Sequence, residues 1–194
     1  MNTPTKNIVF VGSSGIGKYR LIETFISGTF PTTRPYKLFS TWKKTAEFEG
    51  SPVELNLCYI EGNETYRLLN KFNYPDTDVA VIVFGIDEPG TLKEVFDFWA
   101  HEVNHYCPNA PIILVGLRKD LRDNPETLEQ LSKLRESPVT EENGKAMAQE
   151  IKAFAYLECS SKNFEGVEEV FAKVVEAAFL PKKTIRRKKF CCVQ

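Results

Sequence analysis

The segment that most narrows what this chain can fold into is Gly12-Ser13-Ser14-Gly15-Ile16-Gly17-Lys18, which matches the pattern G-x-x-x-x-G-K. It follows a short apolar run, Ile8-Val9-Phe10-Val11, and a helical pattern begins after Lys18. In a strand, glycine loop and helix of this kind, successive backbone N–H groups curl around phosphate oxygens. The helix N-terminus adds a favourable dipole, and the lysine supplies charge to the terminal phosphates. A glycine-rich turn with a chance lysine is the plain alternative, and the flanking strand and helix argue against it. The pattern should finish on Ser or Thr, whose hydroxyl ligates magnesium, but the next residue is Tyr19. A phenol is too long and rigid to take that place, so the usual magnesium site lacks its first ligand.

Further along, 41–48 and 52–59 read as two strands joined by Glu49-Gly50-Ser51, a hairpin. Val79–Ile86 and Ile112–Gly116 are continuous apolar runs, as expected of strands buried on both faces, and Phe154–Cys159 reads as a sixth strand. Helical stretches fall at about 91–106, 126–135, 140–152 and 166–179. This alternation predicts an α/β fold with a mainly parallel six-stranded sheet flanked by helices. With 194 residues, 42% of them hydrophobic, the chain can bury a sizeable core. No run approaches the ~20 apolar residues of a membrane-spanning helix. Met1–Lys6 is polar, so no secretory leader is expected.

Charge is unevenly spread. Lys182, Lys183, Arg186, Arg187, Lys188 and Lys189 give the segment Pro181–Phe190 a charge of +6, leaving −7 on the rest of a chain whose net charge is −1. An acidic body with a basic tail points away from nucleic acid and towards a negatively charged surface. The last residues, Cys191-Cys192-Val193-Gln194, fit C-a-a-X with Gln at the end, a pattern that favours farnesyl transfer to Cys191. One lipid binds a membrane marginally, and the basic residues add a second signal, about 1 kcal/mol each near an anionic leaflet. The expectation is a flexible polybasic tail over 181–194 and a lipid anchor at the cytoplasmic face of the plasma membrane or an endomembrane. Cys58, Cys107 and Cys159 sit in apolar surroundings and read as buried reduced thiols. His101 and His105 have a spacing that can hold zinc, but no third ligand lies nearby, so an exposed helix face is expected. Phe96 and Trp99 read as packing residues of the same helix.

Phe30-Pro31, Tyr74-Pro75-Asp76-Thr77-Asp78, the run Cys107–Gly116, Asp120-Leu121-Arg122-Asp123 and Tyr156-Leu157-Glu158-Cys159-Ser160 resemble the Rho family of small GTPases, within the Ras superfamily, over nearly the whole chain. The resemblance implies a Ras-like P-loop NTPase domain over 1–180, expected to be a monomer, with a Rho-type insert helix at about 124–140. Guanine recognition in that family rests on N/T-K-x-D and S-A-K/L motifs, which stand here as Leu117-Arg118-Lys119-Asp120 and Ser160-Ser161-Lys162. By this resemblance Asp120 accepts both guanine N–H donors, Arg118 stacks its flat guanidinium on the base, and Phe30 packs edge-on to it. The nucleotide set is then Gly12, Ser13, Ser14, Gly15, Ile16, Gly17, Lys18, Tyr19, Phe30, Arg118, Asp120, Ser160, Ser161 and Lys162, with GTP or GDP as ligand.

The switch residues depart from the family. Lys37 replaces the threonine that closes the first switch over magnesium, and Tyr59-Ile60-Glu61-Gly62-Asn63 stands where D-T-A-G-Q is expected. Tyr59 removes a magnesium-holding acid, and Asn63 is shorter than the glutamine that orients the attacking water. Ser14 fills a glycine position where an arginine finger would enter. Efficient hydrolysis is therefore not expected, Mg²⁺ is doubtful, and no catalytic or metal-ligating residue is assigned, although Glu61 is a conceivable replacement ligand. Arg34 and Lys37 are candidate phosphate contacts in place of metal. Leu38, Phe39 and Trp42 are a candidate apolar surface for effector proteins, with core packing the alternative for Trp42. The leading expectation is a membrane-anchored Rho-like GTP-binding signalling protein with weak or absent hydrolysis, acting as an atypical switch or scaffold. A binding module without nucleotide and an ordinary slow GTPase switch stay open.

Overall fold

A strand whose successive side chains point to opposite faces, and which is apolar at nearly every position, must be covered on both sides. β4 (Val79–Gly85) and β5 (Ile112–Leu117) are of this kind, and β1 (Thr5–Val11) is so from Ile8 onward. In the computed structural model, which describes residues 3–33, 39–62 and 71–181, they occupy the middle of a six-stranded sheet. With β2 (Phe39–Phe48), β3 (Ser51–Ile60) and β6 (Ala155–Glu158) the order is β2-β3-β1-β4-β5-β6. β2 pairs antiparallel with β3, and the other pairs are parallel. The expected hairpin is present and its turn is tighter than read: Glu49 and Gly50 alone span it, with φ of 49° and 76°, and Phe48 pairs with Ser51.

One face of the sheet carries Ile8, Phe10, Leu55, Leu57, Val81 and Val115 against α1 (Lys18–Ser27) and α5 (Val167–Ala178). Phe25 of α1 stacks on Phe171 of α5 with ring centroids 3.6 Å apart. The opposite face carries Val9, Val11, Ile82, Phe84 and Leu114 against α2 (89–106) and α4 (Glu141–Glu150). α2 runs Pro89–Glu94, passes through a π turn over Val95–Trp99 and continues Ala100–Tyr106. Trp99 is buried, as expected. Phe96 corrects its expectation: it is 41% exposed, its ring lying 6.0 Å from the His101 ring at the surface. His101 and His105 are both exposed.

α3 (Pro125–Lys133) begins on Asn124, whose side chain accepts from the Thr127 N–H, with Pro125 in the first turn, where its missing N–H costs nothing. Just before it, Arg122 makes a two-pronged contact with Glu158 of β6, at 2.8 and 2.6 Å, and donates from Nε to the Val139 carbonyl at 3.0 Å. Tyr156 also donates to Glu158. This clamp fastens the α3 approach to the far edge of the sheet. Cys107 and Cys159 are buried and Cys58 is half-buried; burial pushes the thiols of Cys58 and Cys107 up to about 11 and that of Cys159 to about 12. Among the described residues no helix is long and apolar enough to cross a membrane.

Candidate functional site

The site forms where β1 ends and α1 begins, at the C-terminal edge of the parallel strands. Gly12 has φ 141°, and a Cβ there would sit 2.3 Å from the Val83 carbonyl oxygen, so only glycine lets the loop leave β1 against β4. Gly15 and Gly17 also have positive φ, 80° and 111°, and Gly17 precedes the first turn of α1. Ser13 ties the loop to α2, its hydroxyl donating to Glu94 at 2.6 Å, while Ser14 is exposed. Lys18 is buried, and its ammonium donates to the carbonyls of Gly12 at 2.7 Å and Ser13 at 2.6 Å. The loop lysine is thus drawn onto its own loop.

Beside Lys18 lies a cavity of about 90 Å³ lined by Gly15, Gly17, Lys18, Tyr19, Arg20 and Tyr59. Its walls are aromatic where a hard cation would need oxygens. Tyr19 packs on Trp42 at 5.7 Å and meets Tyr59 edge-on at 6.3 Å. The Lys18 ammonium stands 5.7 Å from the Tyr59 ring centre, and the Tyr59 hydroxyl donates to Glu61. Desolvation and then the Glu23 carboxylate raise the pKa of the Tyr19 phenol, so it stays protonated. Magnesium demands near-octahedral oxygen ligands. Two phenols, one packed among rings and one committed to a carboxylate, do not supply them, so the described residues do not fit the ion. Glu61 is buried, and no group of three or more His, Cys, Asp or Glu among the described residues could hold a metal.

The chain after Glu61 lies directly on the loop. A Cβ on Gly62 would be 2.1 Å from the Gly12 carbonyl oxygen and 2.7 Å from the Ser14 nitrogen. The Gly12 carbonyl that receives Lys18 is therefore also the atom that Gly62 covers.

A second cavity, of about 180 Å³, adjoins the first at Gly17 and Arg20 and is lined also by Ile16, Phe30, Leu117, Arg118, Asp120, Leu121, Ser161 and Lys162. The two base motifs thus meet as expected. Asp120 is aimed by Ser160, a fully buried serine whose hydroxyl donates to it at 2.6 Å and accepts from the Asn163 N–H at 3.1 Å. Ser160 therefore reaches the cavity only through Asp120. Phe30 carries the Arg20 guanidinium over its ring at 5.2 Å. Arg118 departs from the free stacking group expected of it. With φ 60°, it donates to the Gly15 carbonyl at 2.6 Å and pairs with Asp87 and Glu88 at 2.7 Å each. Burial works against its charge, but the two carboxylates outweigh burial and raise its pKa. It acts as a brace between the loop, the end of β4 and the base cavity.

Trp42 stands between the two readings of it, exposed patch and core packing. It is half-buried, packs on Tyr19 and donates from its indole N–H to Glu23 at 2.9 Å. Phe39 is 49% exposed at the start of β2, and Phe72, which the sequence reading did not single out, is 70% exposed in the turn Lys71–Asn73. Between β1, β2, β3 and the segment after this turn lies an open groove lined by Phe39, Trp42, Cys58 and Pro75. Arg34, Lys37, Leu38, Asn63 and Cys191, together with the basic residues 182–189, lie outside the described residues. Reading the sequence missed Glu94, Asp87, Glu88 and Arg20, because their roles depend on chain crossings with no local signature.

A family model described as the Ras family matches residues 7–179, from within β1 to the residue after α5. Domains of that family bind GTP or GDP, generally with Mg²⁺, and act through effector proteins. The glycine loop, the paired base motifs and this match together make the chain a member of the Ras family of small GTP-binding proteins.

Proposed function

We propose that this chain is a Rho-type guanine-nucleotide-binding signalling protein that holds its nucleotide without magnesium and hydrolyses GTP slowly or not at all. The observation that carries the reading is the contrast between two adjoining cavities. The base side keeps Asp120 fixed by Ser160, whereas the metal side is built from Tyr19, Trp42 and Tyr59. Positive charge from Lys18, and from Arg34 and Lys37, takes over neutralisation of the phosphates, as lysine and arginine do at phosphate sites elsewhere. Slow turnover follows from Tyr59 and Asn63, since phosphoryl transfer depends on positioning and charge stabilisation.

The helix α3 supports the Rho assignment, standing in the segment 124–140 where that subfamily carries its extra helix. Phe39 and Phe72 supply the exposed apolar surface for effectors. Farnesylation of Cys191 next to six basic residues holds the domain over 1–180 at an anionic cytoplasmic leaflet. Nucleic acid is not among the partners of an acidic body, and the domain works as a monomer.

The test is the nucleotide content of the purified protein, followed by titration with GDP and GTP in Mg²⁺ and then in EDTA. Binding unchanged by EDTA is the expected result, and loss of binding in EDTA overturns the metal-free reading. A second reading, a binding module without nucleotide, is favoured by the bonds of Lys18 to its own loop. Absence of bound nucleotide and of any titration in either buffer would establish it.

A further inference from the structure

We infer that Glu61 sets which nucleotide the site accepts: its carboxylate occupies the end of the phosphate loop where a third phosphoryl group would lie, so the site takes a nucleoside diphosphate and rejects a triphosphate. This deepens the nucleotide reading above and rests on it. Three contacts carry the inference. The Tyr59 hydroxyl donates to the Glu61 carboxylate, and the Tyr59 ring stands 5.7 Å from the Lys18 ammonium. Gly62 lies on the loop so closely that a Cβ would come 2.1 Å from the Gly12 carbonyl, the same oxygen that accepts from Lys18 at 2.7 Å. Glu61 itself is only 2% exposed. The residues Tyr59, Glu61 and Gly62 thus close one end of the loop with an anionic side chain. The cavity of about 90 Å³, which Tyr59 lines, shares Gly17 and Arg20 with the base cavity.

The chemistry follows from charge. A buried carboxylate, held by the Tyr59 hydroxyl while the Tyr59 ring faces the loop lysine, brings to this end of the loop the kind of negative charge that a terminal phosphate would bring. A triphosphate must either displace the Glu61-Gly62 segment or place its extra charge against that carboxylate in a partly dry site, where like charges repel far more than in water. A diphosphate ends before that point. Tyr59 is the positioning residue, since its hydroxyl holds the carboxylate in place.

The experiment measures GDP and a non-hydrolysable GTP analogue on the full chain in EDTA, for the wild type and for Glu61→Ala, Glu61→Gln and Tyr59→Phe. The wild type is expected to favour GDP by at least about tenfold. Glu61→Gln, which keeps the size and removes the charge, should raise affinity for the analogue about tenfold while changing that for GDP less than about threefold. Glu61→Ala should do so at least as strongly, and Tyr59→Phe should shift the ratio part of the way. Thermal melts show whether each variant is folded. Equal wild-type affinity for the two ligands, or variants that move both by one factor, overturns the role of Glu61 and leaves the nucleotide reading standing. No binding of either ligand to any of the four proteins overturns both.

Discussion

At Gly12 there is no room for a methyl group: the φ of 141° and the Val83 carbonyl 2.3 Å from a Cβ leave the backbone to move instead. Gly15, three residues further along the same loop, has φ 80° and nothing within 4 Å of a Cβ. Gly12→Ala should therefore lower unfolding free energy by about 2–4 kcal/mol, and Gly15→Ala by only about 1–2 kcal/mol, as read by urea denaturation. Equal losses would mean that close approach to β4 is not what demands glycine at position 12. At the other end of the site, Asp120→Asn leaves the Ser160 contact feasible but replaces a two-lone-pair acceptor of charge by a half-donor amide. GDP affinity should fall at least about tenfold, and the preference for guanine over adenine nucleotides should shrink with it in competition titrations. The loop glycines and Lys18 are legible in the sequence because their spacing is local, and Asp120 and Ser160 through the family resemblance of the two motifs that carry them. Glu94 is not, since it meets Ser13 across 81 residues, and Arg118 could be assigned to the base but not to its bonds with Asp87, 31 residues away.

Elements show the same division. The central strands announced themselves through unbroken apolar runs, and the hairpin through Glu49-Gly50. The π turn in α2 did not, because an extra residue in one turn leaves apolar spacing that still reads as helical, and so Phe96 was assigned inward when it faces water. The junction between α3 and β6 depends on Arg122 and Glu158, whose side chains are 22% and 7% exposed. Burial works to raise the Glu158 pKa, but the Arg122 and Tyr156 hydrogen bonds outweigh it and the value lies below the usual 4.5. A carboxylate held low in the folded state contributes stability that is complete above the unfolded value and is lost as pH falls through the folded one. Glu158→Gln should thus cost about 2 kcal/mol at neutral pH. The gap between mutant and wild-type denaturation curves should close as pH drops below about 4.5. A gap that persists unchanged in acid would mean packing, not charge, holds this junction.

For the whole molecule, a ligand that binds only the folded state adds RT ln(1 + [L]/Kd), about 2.7 kcal/mol at a hundredfold excess over Kd. For a chain of this size that corresponds to a rise in Tm of roughly 5–10 °C. GDP should produce the same rise in Mg²⁺ and in EDTA, because no described oxygen cluster is arranged for the cation. A rise seen only with Mg²⁺ would show that the aromatic wall of Tyr19, Trp42 and Tyr59 opens to admit the metal.

The three cysteines inside the domain carry a different kind of information. With their thiols held at about 11, 11 and 12, Cys58, Cys107 and Cys159 present almost no thiolate near neutrality. Cys107 and Cys159 can be alkylated only during an excursion that brings them to water, whereas the half-buried Cys58 lines the open groove. With Cys191 and Cys192 replaced by serine, the labelling rate of each remaining cysteine becomes a clock for one region: β3 for Cys58, the end of α2 for Cys107, and the approach to the base cavity for Cys159. Cys58, the half-buried one, should label first. Cys159, beside the Asp120–Ser160 pair, should slow on adding GDP more than the other two, which makes the molecule its own reporter of where ligand tightens it.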